Sequence, residues 1–531
     1  MSMRTRTELL LLVAFCGFLF FYGRGSFGLV GADEPRYAQV AREMLQRHDW
    51  ITPTLLGKPW LEKPVLYYWQ AMAAYSLFGV TDSAARLPAA IDAALMIAAI
   101  YFFLRRFRTG AAEDGALITA GSAAIIAFSR AAATDMPLAA SFTIAMLAWY
   151  AWHESSKRLY LSAFYVFIAL GMLAKGPIAP ALAAVIIVIF AASKREWRIA
   201  FRTLWIPGIL LFLAVGLPWY IAVQMRNPEF FRVFILEHNL ARFGSNVYHH
   251  PQPFWFYVPI LLLSLMPWTL WFVLAVVERA RLFWSERRTA VENPDDAWQM
   301  FLVIWLLVFV VFFSASQSKL PGYILPAVPA GALLVNEYIG AHRNEQKRIP
   351  LAFAWIHGLI CWWLVIGALT AALIQQNHSL VMTGWTYVSV AIALLVAFLV
   401  AGALLTRNGW RWLRPATMIP VLISVAAILR LAAPAIDAAQ SARPIAASIL
   451  SFSREQVPLA VFAVKREQEY GLEFYLNRAA QHYENGIPGE AHVLVAGQEA
   501  RTQLAALLGN RKLSYLTSVK AQKLDVYWVG K

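Results

Sequence analysis

The sequence predicts a mainly α-helical, polytopic membrane protein of about thirteen spanning helices, with a small extracytoplasmic α/β unit at its C-terminal end. Three observations predict it. The 531 residues are 60% hydrophobic and only 15% charged, with 21 Trp. Apolar runs of the roughly 20 residues that a bilayer requires recur along most of the chain. Lys and Arg gather in alternate loops between those runs, the pattern of cytoplasmic loops.

In order, the expected spans are 8–28, 85–104, 115–132, 137–153, 159–174, 177–193, 203–223, 254–277, 298–315, 322–340, 351–374, 383–405 and 415–434. One set of alternate loops carries Arg4 and Arg6, Arg105 to Arg108, Lys157 and Arg158, Lys194 to Arg198, Arg279 to Arg288, Arg343 to Arg348, and Arg407 to Arg414. The N-terminus is therefore expected in the cytoplasm, and an odd number of spans puts the C-terminus outside. The net charge of +15 is this topological signal together with contact to anionic lipid, and no nucleic-acid binding is read from it.

From about Ile436 the chain turns polar, with strand-like runs at Leu459–Val464 and His492–Ala496 and helical stretches at Tyr470–Ala480 and Glu499–Leu508. The expected division is thus a membrane catalytic domain over 1–435, with long outward loops at about 29–86 and 224–253, and a docking or stabilising α/β domain over 436–531. Cys16 and Cys361 both fall in spans, which leaves no disulfide framework and no thiolate metal site. Residues 9–22 follow Arg4 and Arg6 as a secretory signal would, but no small-x-small cleavage site follows. Gly23-Arg24-Gly25-Ser26-Phe27-Gly28 fits a dinucleotide-binding pattern, yet it leaves a membrane helix and no βαβ unit follows. No internal repeat of the transporter kind is evident.

The first outward loop is far longer than a helix connection needs, which marks it as functional. Asp33-Glu34-Pro35-Arg36-Tyr37 leads into an amphipathic stretch, Tyr37–Gln46, expected to lie along the interface with Arg36, Arg42 and Arg47 on lipid phosphates. Trp50 to Trp60, Leu61-Glu62-Lys63-Pro64 and the aromatic run Tyr67, Tyr68 and Trp69 follow. Other outward ends add Arg130 and Asp135, Lys175, and Lys319 with Tyr323. The loop after the seventh span adds Glu237, His238, Arg242, His249 and His250. Ionisable groups at membrane depth are costly, so their confinement to one side points to a site there. Several cations near an interface suit a phosphate or diphosphate headgroup carried by a lipid. Carboxylates beside them suit proton abstraction or metal binding.

These residues carry a resemblance. Asp33 to Tyr37, Trp50-Ile51-Thr52-Pro53, Leu61 to Pro64 with Tyr67 to Trp69, Ala85-Arg86-Leu87-Pro88, Thr134-Asp135-Met136 and Ala174-Lys175-Gly176-Pro177 are similar to the lipid A aminoarabinose transferase (ArnT) family. So are Glu237-His238 with Arg242-Phe243, and Lys319 through Tyr323 to Pro326. That family lies within the protein O-mannosyltransferase-like GT-C glycosyltransferases, and the resemblance covers nearly the whole membrane portion. It implies a thirteen-span GT-C fold in the bacterial inner membrane. It also implies a polyprenyl-phosphate donor, typically undecaprenyl phosphate linked to 4-amino-4-deoxy-L-arabinose, and lipid A phosphate as acceptor. The resemblance places Asp33 at the reaction centre and Asp135 in the same cavity as the two catalytic acids. It puts Lys63, Lys175 and Arg242 near the donor phosphate, Glu62 near a bound metal, and Tyr323 in the Lys-Leu-Pro segment. With Glu34 and Lys319 these residues complete the expected substrate-binding set. Trp60 stands where relatives often carry an aromatic hydroxyl.

Transfer from a phosphate-linked sugar needs the leaving phosphate stabilised as the anomeric carbon takes on oxocarbenium character. With an anionic lipid A phosphate as acceptor no base is needed, and Asp33 and Asp135 hold the acceptor, the sugar amine or the developing positive charge. With a Ser or Thr hydroxyl as acceptor, Asp33 is the natural general base. No enzyme nucleophile stands out, so single displacement with inversion is expected from a monomer. Glu62, His238 and His249 (or His250) form a partial N/O set for a structural divalent ion, Zn or Mg. Competing readings are a GT-C transferase moving another sugar to protein, glycan or lipid, and a flippase for a lipid-linked sugar. The flippase should place ionisable groups at the midplane and show repeat symmetry.

Overall fold

The structure, a computed structural model, describes residues 3–108, 112–241, 252–285, 294–345, 347–377, 381–452, 457–509 and 511–530. Among the described residues eight helices are long and apolar enough to cross a membrane: Asp82–Phe107, Arg158–Lys175, Ile206–Arg226, Asp296–Ala315, Pro321–Asn344, Leu351–Asn377, Gly384–Leu405 and Gly409–Gln440. The other five expected spans fall on helices outside that group, one of them, Asp135–Ser155, a full 21 residues long. Met3–Cys16 continues as a π-helical turn over Gly17–Phe21, Asp135–Ser155 and Ile178–Ser193 are regular, and two are broken in the middle.

The two broken helices explain each other. The 115–132 segment splits into Ala112–Ala120 and Ala123–Phe128, and the 254–277 segment into Tyr257–Ser264 and Thr269–Ser285. In a bilayer every backbone group freed by a break must find a partner inside the protein. Here the amide of Ala123 donates to the carbonyl of Met266 at 2.9 Å, joining one break to the other. Gly121, within the first break, lets the helix Gly409–Ala427 pack closely, since a Cβ there would stand 2.8 Å from the Met418 side chain.

The long loop after the first helix folds into a compact platform. Gly31, at φ +67, turns the chain out of the first helix and into α1, Asp33–Gln46. Glu43 on α1 organises the following hairpin, accepting from Thr54 Oγ1 at 2.8 Å and from the amides of Leu56 and Gly57 at 2.7 and 3.1 Å. The hairpin, Thr54–Leu55 with Lys58–Pro59, delivers Trp60 to Lys63, and α2, Leu66–Phe78, packs on α1. Thr81 then caps α3, Asp82–Phe107, its hydroxyl accepting from Ala84 N at 3.1 Å. The expectation that α1 lies on lipid headgroups is corrected. Ten of its residues are buried between α2 and the C-terminal unit. Arg42 donates to the carbonyl of Phe474 at 2.6 Å, and Arg47 to Thr54 Oγ1 at 2.7 Å.

The C-terminal unit is a five-stranded sheet. Its strands, in chain order, are β1 (Leu459–Phe462), β2 (Ala480–His482), β3 (His492–Gly497), β4 (Leu513–Val519) and β5 (Leu524–Val529), arranged β2-β1-β3-β5-β4. β1 runs parallel to β2 and β3, while β5 is antiparallel to β3 and β4. Alternate side chains serve opposite layers, as a pleat requires. Leu459, Val461, Val493 and Val495 pack with Ile445, Ile449 and Leu472 on one face. Ala460, Leu494 and Ala496 pack with Leu504 and Leu508 on the other. Ile436, where the composition changes, lies inside the helix Ala433–Gln440. The unit rests on the platform: Tyr475 donates to Asp82 Oδ1 at 2.7 Å and accepts from the amide of Leu29 at 2.7 Å, while Arg443 bridges Asp82 and Asp437.

Candidate active site

Asp33 and Glu34 both stand in the first turn of α1, where the helix dipole favours carboxylates, but successive helical positions point in different directions. The Asp33 side chain is 59% exposed and, among the described residues, pairs with the guanidinium of Arg36, one turn on. Glu34 turns inward and is spent. Oε1 accepts from Arg86 Nε at 2.9 Å and the Ala132 amide at 2.7 Å, and Oε2 from Arg86 Nη2 at 2.6 Å and the Val30 amide at 2.8 Å. Glu34 lines the apolar cavity while tying the first loop to the segment after the Ala123–Phe128 helix, which sets the position of Asp33.

Arg36 is buried, with its guanidinium over the rings of Trp60 at 4.9 Å, Tyr37 at 5.1 Å and Tyr470 at 5.7 Å. Burial works against its charge, but Tyr37, Asp33 and Glu62 outweigh that and hold its pKa above the ordinary value. Burial pushes the Tyr37 phenol up, and Asp33 adds to it. Trp60 thus supplies a cation–π face to Arg36.

Asp135 opens the helix Asp135–Ser155 and Lys175 closes Arg158–Lys175, both at the end that shares a cavity with α1. Lys175 Nζ meets Asp135 Oδ1 at 2.5 Å and lies 5.0 Å from the centre of the Tyr323 ring. Gly322 makes that approach possible, because a Cβ there would stand 2.7 Å from Asp135 Oδ1 and 3.1 Å from the Phe128 ring.

These groups border two cavities. A polar one of about 540 Å³ is lined by Asp33, Glu62, Lys63, Asp135, Lys175 and Tyr323, together with Arg36, Tyr37, Thr134 and Arg466. An apolar one of about 770 Å³ runs among Ala123–Phe128, Leu364–Ala371 and Val421–Leu429. Ala32, Asp33, Phe128 and Asp135 line both, so the two acids mark the junction. Lys319 is not among the lining residues: it is buried and donates to the carbonyl of Ser316 at 2.6 Å. Arg242, His249 and the side chain of His238 lie outside the described residues. Among the described residues no three His, Cys, Asp or Glu side chains gather to hold an ion. Glu62 lines the polar cavity, the side chains of its two expected partner ligands lie outside the described residues, and no step below uses a metal.

Sequence reasoning missed Arg36 and Arg466 as lining residues. Arg36 carried a signal, since it stands three residues after Asp33, the spacing of a helical ion pair. Arg466 carried none, because nothing in the tail's composition says which face meets the membrane domain.

The sequence profile of the dolichyl-phosphate-mannose-protein mannosyltransferases matches residues 6–234. The chain is 29% identical over 520 residues to an undecaprenyl phosphate-alpha-4-amino-4-deoxy-L-arabinose arabinosyl transferase of Pseudomonas aeruginosa, covering 91% of this chain and 89% of that one. The enzyme of the same name from Serratia proteamaculans is 29% identical over 396 residues, covering 72% and 69%. Among solved structures, ArnT from Cupriavidus metallidurans bound to undecaprenyl phosphate superposes with a TM-score of 0.77 at 21% identity, over 98% of this chain and 97% of that one. An oligosaccharyltransferase from Archaeoglobus fulgidus gives 0.53 at 13% identity, over 94% and 70%. At these identities the structural likenesses establish the fold.

Proposed function

We propose that this chain, which belongs to the aminoarabinose transferase (ArnT) family of GT-C glycosyltransferases, moves 4-amino-4-deoxy-L-arabinose from undecaprenyl phosphate to a phosphate of lipid A on the outward face of the inner membrane. The observation that carries the reading is the junction of a cation-lined polar cavity with an apolar one at Asp33 and Asp135. Two lipid-borne substrates need two approaches to one reaction point, and this arrangement supplies them.

In the proposed reaction an oxygen of the acceptor phosphate attacks the anomeric carbon. The bond from that carbon to the donor phosphate oxygen breaks, and undecaprenyl phosphate leaves with the electron pair. Lys63 and Lys175, beside the leaving group, offset its growing charge. Asp33, exposed at the junction, faces the sugar and stabilises the positive charge that develops on the ring or rests on its amine. Asp135 fixes Lys175. Attack opposite the leaving phosphate inverts the anomeric centre. Mass analysis of lipid A from cells with and without the gene tests the reading: loss of the aminoarabinose adduct supports it, and an unchanged lipid A profile contradicts it.

Lys63→Ala and Lys175→Ala should each lower transfer while leaving the fold intact, because each sits at a loop or helix end. One charge-assisted contact is worth about 1.5–3 kcal/mol, roughly ten- to a hundredfold in rate. Variants with wild-type rates and unchanged Tm would refute the assignment.

The reading also requires thirteen crossings, with the N-terminus cytoplasmic and the sheet outside. A periplasm-dependent reporter fused after Lys531 should be active. Activity of a cytoplasm-dependent reporter at that point would remove the basis for an outward site.

A further inference from the structure

Three arginines from three separate segments, Arg24 and Arg130 in turns and Arg430 in the π-helical turn Ile428–Ala432, gather beside the apolar cavity that Arg130 lines. Arg130, after the Ala123–Phe128 helix, donates to the carbonyls of Leu19 and Tyr22, both at 2.6 Å. Arg430, in the turn Ile428–Ala432, lies 5.2 Å from the Tyr22 ring centre and donates to its hydroxyl. Arg24 lies 5.4 Å from the Phe21 ring centre, with Nε and Nη1 buried and without a hydrogen-bond partner. Among the described residues none of the three forms an ion pair, although Glu34 and Asp82 near by are each paired to another arginine. Gathering uncompensated cations at a membrane edge costs energy unless an anion joins them. Arg130 and its neighbours Ile428 and Leu429 line the apolar cavity, whose walls suit acyl chains and which Asp33 also lines.

We infer that Arg24, Arg130 and Arg430 form a second lipid-phosphate site, separate from the Lys63 and Lys175 set, which receives the headgroup of the acceptor lipid while its chains occupy the apolar cavity. Charge separation is the reason for two sites. Donor and acceptor each bring a phosphate, and two such anions held by one cation set would repel; here the acids at the junction stand between two cation sets. The inference rests on the reading that a lipid phosphate accepts the sugar.

The test uses the purified full-length chain in detergent and native mass spectrometry with three probes: bisphosphorylated lipid A, the same lipid A dephosphorylated, and undecaprenyl phosphate. The variant is Arg24→Gln with Arg430→Gln, which leaves Arg130 to hold the Leu19 and Tyr22 carbonyls. The wild type should bind the phosphorylated form about tenfold or more tighter than the dephosphorylated one. The variant should lose that preference and keep its affinity for undecaprenyl phosphate. Retained preference overturns the site, as does a parallel loss of undecaprenyl phosphate binding, which would assign the arginines to the donor. Displacement of lipid A by an equal concentration of phosphatidylglycerol would also overturn it, since contact would then be with any anionic lipid. A wild type that prefers phosphorylated lipid A yet transfers no sugar to it would support the anion site while sinking the proposed acceptor.

Discussion

Asp33→Asn is expected to lower sugar transfer by at least about a hundredfold, the lower range for losing a positioned charged group at a reaction centre. Asn keeps the size and hydrogen-bonding capacity of the side chain and removes only its charge. Two features of the structure make the substitution informative. The Asp33 carboxylate is the more exposed of the two junction acids, 59% against 18% for Asp135. Its contact is a single guanidinium, that of Arg36, which is itself held by three aromatic rings. Folding should therefore survive, and so should donor binding, because the donor phosphate is assigned to Lys63 and Lys175. If the variant transfers normally, or fails only because it no longer binds donor, the role given to Asp33 is wrong.

The largest effect on stability is expected from Arg86→Met. The Arg86 and Glu34 side chains are 1% and 8% exposed, and Arg86 also donates to the carbonyls of Arg24, Phe27 and Gly28, each at 2.8 Å. Removing one partner of such a pair leaves a buried uncompensated charge, at a cost of about 3–5 kcal/mol. A shift of that size should lower Tm clearly or keep the variant from accumulating in the membrane. Adding Glu34→Gln removes the stranded charge and should recover part of the loss. A single Arg86→Met variant with wild-type Tm would show that the pair is not what anchors the loop.

Much of the fold was legible because spanning helices are written in composition. Twenty apolar residues leave few structural alternatives in a bilayer, and the eight long spans appear where the sequence put them. Interruptions were not legible. An apolar average over 115–132 or 254–277 is blind to a break such as the one after Gly121, whose partner, Met266, is far along the chain. In the C-terminal unit the sequence signalled β1 and β3, buried strands of apolar residues. β2 and β4 are partly exposed and lack that signal.

The site divided in the same way. Asp33, Lys63, Asp135 and Lys175 stood out as ionisable groups at outward helix ends, and the structure gathers them around one polar cavity. The pairing of Lys175 with Asp135 could not be read, because nothing in the sequence says that two helix ends forty residues apart meet. The buried pairing of Glu34 with Arg86 could not be read either, although Glu34 adjoins Asp33. A helix turns about 100° per residue, enough to bring Asp33 to the polar cavity and leave the next carboxylate paired with Arg86 beside the apolar one. Lys319 shows the converse: a cation in the right segment whose own turn supplies its partner, the Ser316 carbonyl.

The most direct test of the central claim is reconstitution. The purified chain, supplied with undecaprenyl phosphate-linked 4-amino-4-deoxy-L-arabinose and lipid A in detergent, should convert lipid A to its aminoarabinose adduct as read by mass spectrometry, with Asp33→Asn losing at least about a hundredfold of that rate. A folded wild-type chain that binds undecaprenyl phosphate but leaves lipid A unmodified, or an Asp33→Asn variant that matches the wild type, would contradict the account.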